Sequence, residues 1–293
     1  MSKIDTHKLV TDSIITILES GTTPWQKSWA GGKGFELPIR HNGIPYQGIN
    51  TIVLWIAMQN NGFTSNRFMT FKQAVIYKGM VRKGSKASYI VKPTPFKVED
   101  KNGIEKTIPF FTTAAVFNVD QIDGLPERFY PIATPASDTG TKTIAEMESF
   151  YNAIGADIRK LDTAQACYYP SMDFIQMPLV AQFDNADSYY GVLAHELGHW
   201  TGHASRLNRK DMESRKGYAF EELVAELSSC FTVAAIGGKP DFANSASYIA
   251  SWLKALENDK KFIFDAATAA QKASDYLLNA AGYKKEIADS DTE

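Results

Sequence analysis

The spacing of apolar residues predicts a mixture of helices and strands along the whole chain. Helical spacing recurs in eight segments: His7–Glu19, Asn50–Asn60, Thr70–Lys78, Ile144–Ile154, Tyr189–Trp200, Ala219–Ala235, Ser245–Asn258 and Ile263–Asn279. Runs of β-branched and aromatic residues predict strands at Ser88–Val91, Thr112–Val119 and Asp173–Met177, with a turn at Asp100–Gly103. This combination predicts an α+β fold.

A segment of small polar residues interrupts the pattern at residues 131–142. It contains two prolines and a glycine, a composition typical of a linker between domains. We therefore predict an N-terminal α+β domain over residues 1–130. A C-terminal, mainly helical domain with a small sheet is predicted over residues 143–293.

The composition excludes several protein classes. Of the 293 residues, 44% are hydrophobic and 22% are charged, as in globular proteins and unlike disordered chains, collagens or coiled coils. No apolar run reaches the ~18 residues of a membrane helix, and the N-terminus lacks the apolar core of a signal peptide. With only two cysteines, a disulfide scaffold is not expected. These features predict a cytoplasmic protein without a membrane partner.

The charges are distributed unevenly along the chain. The first 125 residues carry 15 Lys and Arg against 9 Asp and Glu, whereas the remaining residues carry 16 against 24. Residues 37–98 contain no acid, although a solvated surface normally mixes both signs. Cations interleaved with aromatic rings are typical of surfaces that bind single-stranded DNA. The candidate contacts are Arg40, Arg67, Lys72, Lys78, Arg82, Lys83, Lys86, Lys92, Tyr46 and Phe68. Alternatively, some of these aromatics belong to the core.

The motif His195-Glu196-Leu197-Gly198-His199 predicts a metal centre. Histidines at positions i and i+4 lie on one face of a helix, where both imidazoles reach one divalent ion. The intervening Glu196 is then placed to act as a general base. The alternative is a pair of core histidines beside a surface glutamate. Two histidines with a carboxylate favour Zn²⁺, with Mn²⁺ or another divalent ion as alternatives.

The sequence does not decide which residue is the third protein ligand of the metal ion. His203 follows the motif, but the metzincin pattern places its last ligand where this chain has Ser205. Glu222 and Glu226 lie four residues apart on a later, apolar helix. In zincins with a glutamate ligand, a second acid four residues later orients a histidine. That template makes Glu222 the ligand and Glu226 the orienting acid, and the reverse assignment stays open.

Such a centre predicts metal-dependent hydrolysis of a peptide bond. Tyr218 and His203 are candidate donors to the developing oxyanion, and Glu221 is expected to point elsewhere. The strand Asp173–Pro178 is a candidate edge strand for an extended peptide, with an ordinary edge strand as the alternative.

Several longer segments resemble one family. The run from Asp173 to Leu227, with DFIQMP, YYGVLAHELGHWTGHASRLNR and YAFEELVAEL, resembles the metallopeptidase domain of ArdC-type antirestriction proteins. PWQKSW, GIPYQGIN, TFKQA and VRKGSKASYIV resemble that family's N-terminal domain, which is associated with single-stranded DNA and is similar to part of the TraC-type primases of conjugative plasmids. The resemblance implies a plasmid or mobile-element protein that counters host restriction. It carries the metal-site roles onto His195, Glu196, His199 and the pair Glu222 and Glu226.

Three functions are compatible with these features. The first is a DNA-binding metallopeptidase that protects incoming DNA, for instance by cleaving a host protein. The second is a protein that coats DNA or blocks a restriction enzyme, with a structural, non-proteolytic metal domain. The complete motif favours the first, because a structural site needs no general base and usually has four protein ligands. The third, a protease acting on DNA–protein crosslinks, can be distinguished only with a crosslinked substrate.

Overall fold

A computed structural model describes residues 6–23, 36–99, 105–130, 144–209, 215–238 and 248–284. The helices are α1 (Thr6–Glu19), α2 (Ile49–Asn61), α3 (Phe71–Ile76), α4 (Ile144–Ala153), α5 (Ala186–Trp200), α6 (Arg215–Ala235), α7 (Ile249–Asn258) and α8 (Phe262–Ala280). The strands are β1 (Ile39–Arg40), β2 (Arg67–Met69), β3 (Met80–Val81), β4 (Ser88–Glu99), β5 (Glu105–Asn118), β6 (Ile122–Asp123), β7 (Asp157–Leu161), β8 (Cys167–Tyr169) and β9 (Phe174–Pro178).

All eight predicted helices are confirmed, with ends shifted by a few residues. The short helix α3 illustrates how the sequence sets such ends. The Thr70 hydroxyl accepts the Gln73 N–H, and the Gln73 side chain accepts the Thr70 N–H, which forms a capping box. The predicted turn at Asp100–Gly103, the linker at residues 131–142 and the first residues of the helix predicted from Ser245 lie outside the described residues.

The N-terminal region contains a four-stranded sheet with strand order β1-β2-β5-β4. Strands β4 and β5 pair antiparallel from Ser88 opposite Val116 to Glu99 opposite Glu105, much longer than the predicted strands. β1 is parallel to β2, and β3 pairs with β6 in a separate two-stranded ribbon. The two-residue strands were not predicted, because so short a segment has no detectable periodicity.

The C-terminal region contains a three-stranded sheet in which β9 is the central strand. β9 pairs in parallel with β7 and antiparallel with β8. The prediction that Asp173–Pro178 is an edge strand is therefore wrong, because both of its backbone edges are already paired. The two edge strands of this sheet are β7 and β8, and β8 also contacts α5.

One hydrophobic core extends across the two regions. Helix α6 packs against α5 and α8, while α1 packs on α7 and α2 packs on α8. The rings of Trp55 on α2 and Phe231 on α6 are fully buried with centroids 5.8 Å apart. Gly48 also donates its N–H to Gln271 Oε1 on α8 at 2.9 Å. The N-terminal helices therefore share a core with α6, α7 and α8.

Among the helices of the described segments, none combines the length and the apolarity that crossing a bilayer requires.

Because the core is shared, we expect damage on α6 to destabilise the N-terminal region as well. Phe231→Ala should lower the free energy of unfolding by about 3–5 kcal/mol, since it removes a buried ring and leaves a cavity. Hydrogen exchange should show the amides of α2 losing protection together with those of α6. Phe71→Ala is the control, because Phe71 is exposed and should change stability by less than about 0.5 kcal/mol. Unchanged protection of α2 in Phe231→Ala would contradict a common core.

Candidate metal centre

Helix α5 presents the two motif histidines on one face. The helix begins after Asn185, whose side chain accepts the Ser188 N–H at 2.8 Å. One helical turn separates His195 from His199, and their Nε2 atoms lie 3.2 Å apart. Both rings are largely buried, with 19% and 12% of their side-chain surfaces exposed.

Gly198 allows α6 to pack unusually close to this face. A Cβ atom at position 198 would lie 2.5 Å from Ser228 Oγ and 2.9 Å from Ala225 Cα, both on α6. Ser229 adds a cross-link by donating its hydroxyl to the Gly191 carbonyl at 3.1 Å. The glycine inside the motif therefore brings the acids of α6 within reach of the histidines, which outweighs its helix-propensity cost of about 1 kcal/mol.

Three side-chain atoms converge at this contact. His195 Nε2, His199 Nε2 and Glu222 Oε2 are separated by 3.2 Å between the two nitrogens and by 3.4 Å and 3.7 Å from nitrogen to oxygen. A tetrahedral ion with bonds of about 2.0–2.1 Å separates its ligands by about 3.4 Å. Glu222 Oε2 is buried and has no hydrogen bond of normal geometry within the described segments. An orphaned carboxylate oxygen facing two imidazoles fits a divalent cation.

Two further glutamates of α6 contact the outer nitrogens of the histidines. Glu226 Oε2 lies 3.5 Å from His195 Nδ1, and Glu221 Oε1 lies 3.3 Å from His199 Nδ1. Glu221 is itself bound by Arg209, at 2.6 Å and 2.9 Å. Glu221 does point away from the three converging atoms, but its contact with His199 was missed, because sequence spacing alone gave that role to Glu226 only.

These carboxylates create a negative potential between the imidazoles. Burial alone would lower the pKa of His195, but Glu222 and Glu226 raise it to about 10. Burial likewise opposes the effect of Glu221 and Glu222 on His199, and the pKa of that residue rises to about 8. Burial would raise the pKa of Glu222, yet the two histidines close to its carboxylate hold that pKa well below its usual range. The site therefore favours positive charge at its centre.

The motif glutamate is held by the edge strand β8. Glu196 Oε2 accepts the backbone N–H of Tyr168 at 2.8 Å. The Tyr168 hydroxyl donates to Asp173 at 2.8 Å, and Arg206 binds both of these side chains while stacking on Trp200 at 3.9 Å. This network, which sequence reasoning did not find, fixes the strand that orients Glu196.

The other candidates near the motif lie further out. His203 is not among the three converging residues, and its Nδ1 atom lies 2.8 Å from the Ser205 hydroxyl. Tyr218 lies one turn before Glu222 on α6, and its side chain is half exposed. Burial raises the pKa of Tyr218, Tyr248 lowers it and the charge of Glu222 raises it; the net shift is upward, so the phenol stays protonated as a donor.

The predicted DNA contacts divide into surface and core residues. The exposed cations are Arg40, Lys72, Lys78, Arg82, Lys83, Lys86 and Lys92, and Arg67 is partly exposed. Tyr46 and Phe68 are 5% and 0% exposed. Their rings belong to the core, so the prediction that they contact DNA is wrong: a base cannot stack on a buried ring.

Comparisons with known proteins fit this architecture. Residues 4–117 match the model of the N-terminal domain of the anti-restriction factor ArdC, and residues 145–269 match that of a zincin-like metallopeptidase. The metal-free crystal structure of the antirestriction protein ArdC from plasmid R388 is 46% identical, with a TM-score of 0.84 over 96% of this chain and 100% of that one. Its Mn(II)-bound structure is 45% identical, with a TM-score of 0.81 over 95% and 98%. The chain belongs to the ArdC family of antirestriction proteins.

Other relatives of this ArdC-family chain include longer proteins. Two DNA primases TraC of Escherichia coli are each 37% identical over 98% and 93% of the chain, which spans only 28% and 20% of their lengths. The uncharacterized protein y4eC of Sinorhizobium fredii is 34% identical over 93% of the chain and 91% of its own length.

Membership of the ArdC family confirms the predicted two-domain α+β architecture and the resemblance seen in the sequence motifs. A zincin-like domain also implies a divalent metal ion. Zinc as that ion and the boundaries at residues 130 and 143 stay predictions.

The close approach at Gly198 can be tested directly. Gly198→Ala should lower the free energy of unfolding by about 1–3 kcal/mol, since the added methyl group overlaps Ser228 Oγ and the Ala225 backbone. It should also weaken metal binding, because α6 must move away from α5. Denaturant titration and calorimetry with Mn²⁺ measure the two effects. Adding Ser228→Ala should restore part of the loss, and an unchanged single variant would show that the helices have room to spare.

Proposed function

We propose that this protein binds single-stranded DNA through its N-terminal region and hydrolyses a peptide bond at the metal centre, protecting incoming plasmid DNA from host restriction. The observation that carries the hydrolytic part is the convergence of His195, His199 and Glu222 beside a glutamate held by a backbone N–H. A purely structural site would not need that glutamate, and it would usually offer four protein ligands.

In this proposal His195, His199 and Glu222 hold the ion, while Glu226 and Glu221 orient the two histidines. Zn²⁺ is the expected ion for two imidazoles and a carboxylate, with Mn²⁺ as the alternative. When bound, the ion polarises a substrate carbonyl and acidifies a water molecule.

Glu196 is the general base. The Tyr168 N–H occupies Oε2, so Oε1 remains to accept a proton from the attacking water and then pass it to the leaving amine. Tyr218 supplies a neutral hydroxyl near Glu222 as a donor to the developing oxyanion.

The DNA-binding part rests on the exposed cations of the acid-free stretch. Seven exposed and one partly exposed basic side chain can bind phosphates and release counterions, so affinity should fall steeply as salt rises. We expect DNA binding from the full chain and not from an isolated fragment of residues 1–130. Such a fragment would expose Trp55 and its neighbours in the shared core to water.

The alternative is that DNA binding or blockade of a restriction enzyme is sufficient for protection, with the metal domain serving structure. The buried ionic network around Glu221 and Arg209 is compatible with such a role. The two functions differ in whether protection requires Glu196, and hydrolysis additionally requires a host protein as substrate.

Metal binding should separate the roles of the glutamates. Calorimetry with Zn²⁺ and Mn²⁺ should show that His199→Ala and Glu222→Gln lose the ion, because each removes a ligand. Glu226→Gln should weaken affinity roughly 10- to 100-fold, since it only orients His195. Glu196→Gln should retain the ion. If Glu226→Gln abolished binding while Glu222→Gln kept it, the two glutamates would have the reverse roles.

The decisive functional test compares the wild type with Glu196→Gln for protection of plasmid DNA entering a restricting host. We expect protection to be lost although the variant folds, binds metal and binds DNA, because only the proton acceptor is missing. Glu257→Gln, an exposed substitution on α7, is the matched control and should protect fully. Full protection by Glu196→Gln would establish the binding mechanism instead.

A further inference from the structure

Two arginines from distant parts of the chain converge on one aromatic pair. The guanidinium carbon of Arg67 lies 5.7 Å from the ring centroid of Phe129, and that of Arg128 lies 5.2 Å from the same ring. Arg128 is also 5.9 Å from the ring of Tyr77, which packs on Phe129 at 4.6 Å. The same pair of rings therefore contacts both cations.

The surroundings orient Arg67 without neutralising it. Its Nη1 donates to the carbonyl of His41 at 2.8 Å and to that of Arg40 at 3.3 Å. Within the described ranges, no carboxylate lies at ion-pair distance from Arg67 or Arg40. Burial and the nearby Arg128 lower the pKa of Arg67, and burial with Arg67 and Arg40 lowers that of His41. Two cations that contact one ring and repel each other favour an anion that contacts both.

The side chains around this cluster indicate the kind of anion. Arginine forks match the oxygens of a phosphate group. The Tyr77 ring contacts Arg128, and its hydroxyl lies 3.2 Å from His41 Nδ1. Ile76 directly precedes Tyr77 and is 73% exposed, and Phe71 on the same short helix is 56% exposed. Apolar surface next to phosphate-binding cations suits the unpaired bases of a single strand.

We propose that Arg67 and Arg128 form a seat for one backbone phosphate of single-stranded DNA, with Phe71 and Ile76 beside it to contact a base. This inference rests on the proposed DNA binding and adds a specific place for it. Arg128 lies outside the acid-free stretch, so composition did not single it out.

The test measures the full-length protein with a fluorescent oligo-dT by anisotropy across a salt series. Arg128→Gln should weaken binding on the order of fivefold and reduce the salt slope by about 0.7, the value of one lost phosphate contact on a single strand. Arg67→Lys should also weaken binding, because lysine keeps the charge but loses the fork. Lys254→Gln, an exposed substitution on α7, should match the wild type.

A second arm distinguishes a DNA phosphate from free phosphate. Inorganic phosphate, with ionic strength matched by chloride, should compete only weakly with oligo-dT. If oligo-dT does not bind but inorganic phosphate stabilises the wild type and not Arg128→Gln, the nucleic-acid partner is refuted, and so is the proposed DNA binding. If Arg128→Gln and Arg67→Lys bind like the wild type while Lys83→Gln binds more weakly, the seat is refuted and DNA binding by the surface stands.

Discussion

The contact between α5 and α6 at Gly198 is the constraint on which the metal centre depends. A two-histidine motif by itself provides only two ligand atoms, and the third must come from an element that approaches the motif's own helix. Because glycine has no Cβ, the α6 backbone reaches a position that any other residue would obstruct. The distances between the three converging atoms follow from this approach.

Three glutamates of α6 surround the two histidines, and each has a different contact. Glu222 faces the space between the imidazoles, and Glu226 and Glu221 each contact the outer nitrogen of one histidine. Three buried carboxylates would be unfavourable without compensation. Arg209 compensates Glu221, and positive charge at the imidazoles compensates the other two.

The same helix joins the metal centre to the N-terminal region. Its opposite side contributes Phe231 to the core that Trp55 completes, so α6, which carries Glu222, packs in one core with α2 of the N-terminal region. A change that loosens α6 is therefore expected to affect both. This arrangement also explains why a linker in the sequence does not divide the molecule into two separate hydrophobic cores.

The sequence by itself determined the features that depend on neighbours along the chain. The helix carrying His195 and His199 follows from apolar spacing, and the shared face of the two histidines follows from the helical repeat. The tertiary structure decided which glutamate lies between the histidines, that Glu221 contacts His199, that β9 is a central strand, and that Tyr46 and Phe68 are core residues. It also brought Arg67 and Arg128 to the same ring, that of Phe129. Each of these depends on contacts between residues far apart in the chain, and local periodicity carries no information about such contacts.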